Sequence, residues 1–136
     1  MADTRHISSE ITEIAAELIE TEPELEYIRE AGVSIVYLES TAAKKSGGKA
    51  VLGQCEKIAE KYKWGIPADF TITIFEPNVS QLSEEQLRVL VFHELLHVGI
   101  TDEGGLYVRP HDLEDFKAIV DRYGTRWAEE PLPFER

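Results

Sequence analysis

"LSEEQLRVLVFHELLHV", residues 82–98, decides how this chain folds. Ser83 is a helix-capping residue, and Gln86 stands three places on, where a capping box needs it. Leu82 and Leu87 flank the first turn as a hydrophobic staple. The pattern predicts a helix opening at Ser83. Its first turn is polar, with Glu84, Glu85 and Arg88, but from Val89 to Val98 every residue except His93, Glu94 and His97 is apolar. A helix that is hydrophobic all round belongs in the middle of a core. It therefore carries two imidazoles and a carboxylate to a place where an unpaired neutral polar group already costs on the order of 2–7 kcal/mol.

The spacing supplies a reason for them. Residues i and i+4 of a helix stand one above the other with Cβ atoms about 5–6 Å apart, so His93 and His97 can aim a ring nitrogen at one ion. This is the HExxH arrangement: two neutral imidazoles hold zinc, and Glu94 stays off the metal to work on its bound water. With 4 histidines and 20 glutamates in 136 residues, a random order produces that pattern with probability of roughly 0.02, so accident is the weaker explanation.

Catalytic zinc takes three protein ligands and keeps a fourth position open. The long metzincin motif would need glycine at 100 and histidine at 103, where this chain has Ile100 and Glu103. Glu114 is a candidate of the kind that glutamate-type zincins use, but His111 is the better one. Leu113, Phe116, Ile119, Val120 and Tyr123 mark a helix from near His111 to Gly124. "TDEGGLYVRP" provides the reversal that brings it back, with Gly104 and Gly105 turning the chain and "LYVRP" a short extended piece. Asp112, Glu114 and Asp115 suit the first turn of that helix on dipole grounds alone, and Asp112 is also a candidate to orient a ligand imidazole. Tyr107 and Arg109 are the candidate oxyanion donors nearest in sequence. His6 lies in a polar N-terminus and is expected to be exposed.

The remaining elements follow from periodicity. Ile11, Ile14, Ala15, Leu18 and Ile19, after Ser8 and Ser9, predict an amphipathic helix over 9–20. Pro23 opens a short helix to about Ala31, which Gly32 ends. "VSIVYLES" is a strand, 40–49 a loop, and "KAVLGQCEKI" a second strand with a bulge at Gly53, the two strands forming a hairpin. "SGGKA" lacks the first glycine and the hydroxyl residue of a phosphate loop and is taken as flexible loop. "ADFTITIFEP" alternates apolar residues with threonines and is expected near a sheet edge, where a substrate peptide would lie along 70–76. Trp127 is expected to pack on the core, and residues 128–136 to form an extended tail.

Length and composition set outer bounds. The 136 residues suit one domain. A formal charge of −12 argues against broad attraction to nucleic acid or anionic membrane. Cys55, the single cysteine, makes no intramolecular disulfide or thiolate cluster and is expected as a small core residue. The first residues lack the order of a signal peptide, and no stretch reaches the length of a membrane span, so a cytoplasmic protein is expected.

"GGKAVLGQCEKIAEKYKW", "ADFTITIFEPNV", "LSEEQLRVLVFHELLHV" and "PHDLEDFKAIVDRYG" together resemble the phage metallopeptidase family, distantly similar to SprT-like zincins. The resemblance covers roughly residues 24–127, and its specific part is the HELLH and HDLEDF pair. It implies an α+β, zincin-like fold in which a small, mostly antiparallel sheet packs against the central HExxH helix. It further implies one Zn2+ per chain on His93, His97 and His111, Glu94 as catalytic base, and a protein or peptide substrate in a bacterial or phage-host cell. The chain shows neither the basic tail nor the cysteine cluster that SprT-like relatives often add. A zinc hydrolase of a non-peptide amide would use the same residues. A non-enzymatic zinc-binding interaction protein is the other alternative, against which the general-base position of Glu94 speaks.

Overall fold

The computed structural model describes residues 4–65, 68–110 and Ile119. Strand β1 (Arg5–Ile7) leads into helix α1 (Ser9–Thr21), a 3-10 turn (Pro23–Leu25) and helix α2 (Glu26–Ala31). Ser8 caps α1 by accepting the Ile11 N–H at 3.1 Å, and Ile11, Ala15 and Leu18 recur on its buried face. Gly32 closes α2 in the left-handed region (φ +64°), donating its N–H to the Ile28 carbonyl, as its place after the last apolar residue predicts.

Strand β2 (Ile35–Ser40) comes next, then a small hairpin of β3 (Lys45–Ser46) and β4 (Lys49–Ala50), and strand β5 (Gly53–Lys57). After a 3-10 turn (Glu60–Tyr62), strand β6 (Phe70–Phe75) runs into the one-turn helix α3 (Glu76–Val79), with Pro77 in its first turn. The central helix α4 (Glu84–Leu96) is followed by a hairpin of β7 (Val98–Ile100) and β8 (Leu106–Val108).

The main sheet has the order β1-β2-β6-β5. β2 pairs antiparallel with β1 and parallel with β6, and β6 pairs antiparallel with β5. The fold is α+β with a mixed sheet in which two of the three strand pairings are antiparallel, in keeping with the mostly antiparallel sheet expected. Two other expectations fail. The strands at 33–40 and 49–58 do not form a hairpin, because β6 lies between them. Residues 49–58 are also not one strand: Lys49–Ala50 pairs with β3, and the chain re-enters the main sheet only at Gly53. The loop expected at 40–49 contains half of that small hairpin, turned by Gly47 and Gly48 at φ +59° and +79°. Asn78 fixes the hairpin's base by donating to the carbonyls of Lys44 and Val51, both at 2.8 Å.

β6 is an interior strand and not an edge. Phe70, Ile72, Thr73, Ile74 and Phe75 are all buried, the condition of a strand covered on both faces. Thr73 suits that place because its hydroxyl accepts a hydrogen bond from Arg5 Nη1 at 3.3 Å. Pairing with β2 on one side and β5 on the other takes both edges of β6, and that is what overturns a substrate lying along 70–76. The edges of the sheet are β1 and β5.

Both halves of the capping box form at α4: Ser83 N donates to Gln86 Oε1 at 2.8 Å, and Gln86 N donates to Ser83 Oγ at 3.1 Å. Val89, Leu90, Val91, Phe92, Leu95 and Leu96 are buried, and α4 packs against α1, β5 and β7. Leu82 and Leu87 rest partly buried against the same core. Tyr27 of α2 donates its hydroxyl to the Val98 carbonyl at 2.7 Å, tying α2 to the start of β7. Gly99 faces Tyr107 across the β7–β8 pair, and a Cβ there would stand 2.6 Å from the tyrosine ring. Only a glycine leaves room for the ring at that position. The expected helix from near His111 to Gly124, Trp127 and the tail at 128–136 lie outside the described residues, save Ile119, which is helical and fully buried.

Candidate metal centre

The capping box fixes where α4 starts, and so which residues end it. His93 and Glu94 fall in the last turn, and His97 is the C-cap, with helical backbone angles (φ −73°, ψ −17°). The i, i+4 relation therefore survives even though the helix stops one residue before His97. The two imidazoles stand edge to face, with centroids 5.1 Å apart. One ligand atom from each of His93, Glu94 and His97 lies within 4.8 Å of the others. His93 Nε2 is 3.9 Å from Glu94 Oε2.

His97 is held by backbone. Its Nδ1 lies 2.7 Å from the Arg109 carbonyl oxygen. A carbonyl only accepts, so Nδ1 carries a proton, and in the neutral imidazole Nε2 is the nitrogen that keeps its lone pair. The Arg109 N–H returns a hydrogen bond to the His97 carbonyl at 2.6 Å. This reciprocal link, at the open end of the β7–β8 hairpin, sets both tautomer and ring orientation, as an outer partner does for a metal-binding histidine. Two imidazoles with a carboxylate alongside form an N/O donor set that zinc accepts, so the residues present fit such an ion.

Glu94 is 3% exposed. Close by on β5, Cys55 has its thiol pushed up to about 12 by burial, with the charges of Glu94 and Glu56 adding to the effect. A thiol held protonated is neither nucleophile nor ready ligand, in keeping with a small core residue. The Tyr27 hydroxyl is likewise pushed up to about 12 by burial, against the opposing pull of the Arg109 guanidinium beside it.

The family model described as "Putative phage metallopeptidase" matches residues 5–131. The chain belongs to this phage metallopeptidase family. The family's name implies a bound metal and a protein substrate. Comparison with curated proteins and with solved structures returns no match. No described helix is long and apolar enough to cross a membrane.

In this member of the phage metallopeptidase family the structure brings together His93, Glu94 and His97. His111, Asp112 and Glu114 lie outside the described residues. Of the two candidate oxyanion donors, Tyr107 lays its ring on Gly99 and Arg109 sets its guanidinium beside Tyr27. The Arg109 contact to His97 runs through its main chain, which no residue pattern signals. Tyr27 also escapes sequence reasoning, since on its helix it looks like any half-buried aromatic.

A second group of potential ligand atoms occurs at the top of the sheet, where His6 of β1 stands opposite Glu39 of β2. His6 Nε2 is 3.7 Å from both Glu39 Oε2 and Glu76 Oε1, and the His6 side chain is 55% exposed, as its polar surroundings predict. Ser8 Oγ donates to the other oxygen of Glu39. The neighbouring Glu39 carboxyl raises that of Glu76 above its ordinary value. A carboxyl raised by folding favours the native state while protonated, and that contribution fades as pH rises through its titration. Glu76→Gln is therefore expected to be more stable than wild type at pH 7–8, the advantage shrinking to nothing near pH 3–4. Thermal unfolding across that pH range checks it, and an advantage that grows on acidification would contradict it.

Proposed function

We propose that this chain is a zinc-dependent metallopeptidase of zincin-like, distantly SprT-like organisation, in which His93, His97 and His111 hold one zinc ion and Glu94 is the general base. The observation that carries the reading is the Arg109 carbonyl on His97 Nδ1. In the neutral ring it makes Nε2 the nitrogen available to a metal, on a residue with a ligand atom within 4.8 Å of those of His93 and the buried Glu94. When bound, zinc supplies Lewis acidity, bringing the pKa of a coordinated water towards about 7 and polarising a carbonyl.

The rest belongs to the chain. Glu94 Oε2 accepts the proton of the attacking water and later delivers it to the leaving amine, so that C–N cleavage releases a neutral product. Burial keeps competing solvent away from that carboxylate. The Tyr107 hydroxyl or the Arg109 guanidinium donates to the oxyanion. The substrate binds beside β5, the end strand of the main sheet, which packs against α4 and β8.

The test is metal content together with digestion of an unfolded protein. About one zinc per chain is expected, with cleavage that stops on chelation and resumes on adding zinc. Zinc-loaded protein that leaves unfolded proteins and peptides intact but hydrolyses small amides would move the assignment to a non-peptide amidase. Zinc bound with neither activity would leave an interaction protein, and failure to bind zinc would end the proposal.

A further inference from the structure

Gly53 opens β5, opposite Ile74 of β6, and its φ is not among the positive values that four other glycines adopt. Its backbone therefore does not require glycine, and a glycine weakens a strand through chain entropy and lost packing. The structure gives another reason for it. A Cβ at this position would lie 3.2 Å from Glu94 Cγ, 3.2 Å from Glu94 Oε2 and 3.1 Å from Ile74 Cδ1. All three contacts are tighter than ordinary van der Waals spacing, so a methyl group would force a neighbour aside. β5 cannot easily retreat, because it is paired to β6 from Gly53 to Lys57.

Resting on the metallopeptidase reading above, we propose that Gly53 is a positioning residue for the general base: its bare Cα is the wall that lets the Glu94 carboxylate lie against β5. The oxygen concerned is Oε2, which is also the one 3.9 Å from His93 Nε2. Whatever displaces it from Gly53 therefore shifts the proton acceptor relative to the proposed metal ligands. A misplacement of about 1 Å can lower a rate on the order of 100-fold without touching the reacting groups.

Gly53→Ala is expected to lower kcat by ~10- to 100-fold, with KM within about twofold, zinc content unchanged and thermal unfolding no lower than wild type. Its crystal structure should show the Glu94 carboxylate displaced. Two backgrounds separate the neighbours. In Glu94→Asp the carboxylate is drawn back by one methylene, so adding Gly53→Ala should cost much less than it does in wild type. In Ile74→Val the Cδ1 contact is gone, and Gly53→Ala should cost as much as before. Wild-type kcat in Gly53→Ala, or a loss abolished by Ile74→Val and undiminished by Glu94→Asp, overturns the proposal. If wild type itself cleaves nothing, the metallopeptidase reading falls separately. The crystal structure still decides the positioning claim, which an unmoved Glu94 would refute.

Discussion

Glu94→Gln is expected to lower peptide-bond hydrolysis by ~10²- to 10⁴-fold while leaving the zinc content of the purified protein unchanged. The substitution is nearly isosteric, so the amide fits the space between α4 and Gly53 that the carboxylate now fills. What it lacks is a basic oxygen able to take a proton. The proposed ligands, His93 and His97, are untouched, and the Arg109 carbonyl continues to fix the His97 tautomer. Stability should hold or rise, because Glu94 is 3% exposed and a buried charge is costly to desolvate. Elemental analysis, thermal unfolding and a cleavage assay on the same samples check all three expectations. Loss of zinc along with activity would make Glu94 a ligand and return the general-base role to another group. Retained activity would remove the carboxylate from the chemistry altogether.

The parts of this arrangement that sequence reveals are the local ones. Capping box, apolar run and HExxH all lie within the sixteen positions from Ser83 to Val98, and a helix converts such spacing directly into geometry. The helix starts and ends at Ser8, Pro23 and Gly32 are legible for the same reason, each depending on neighbours within one turn. Strand order is not local. The parallel pairing of Ile35 with Phe70 joins residues on either side of the β3–β4 hairpin and β5, and nothing in either strand names the other. Thr73 misleads because one hydrogen bond from Arg5 makes a threonine acceptable in a covered strand. At the site, the pair His93 and His97 announces itself. The Arg109 carbonyl does not, since every residue has a carbonyl, and Gly53 reads as a strand irregularity until the carboxylate beside it is seen.

His97→Ala is expected to reduce zinc from about one per chain to near zero, and hydrolysis with it. Loss of an outer partner alone typically costs 10- to 100-fold in metal affinity, roughly 1.4–2.7 kcal/mol, and loss of a ligand nitrogen should exceed that. His97 has a second role that the alanine variant also removes, because its Nδ1–H is the donor to the Arg109 carbonyl at 2.7 Å. The two roles separate in His97→Asn, whose side-chain amide can occupy the Nδ1 position and donate to that carbonyl but has nothing in place of Nε2. Zinc should be lost in both variants. In the presence of a chelator, His97→Asn should unfold in urea closer to wild type than His97→Ala, by about 1 kcal/mol for the recovered hydrogen bond. Zinc retained by His97→Asn would show that the imidazole serves the fold and not the metal. Equal stability of the two variants would mean that the link from Arg109 N–H to the His97 carbonyl, which both keep, is enough to hold the β7–β8 hairpin to the end of α4.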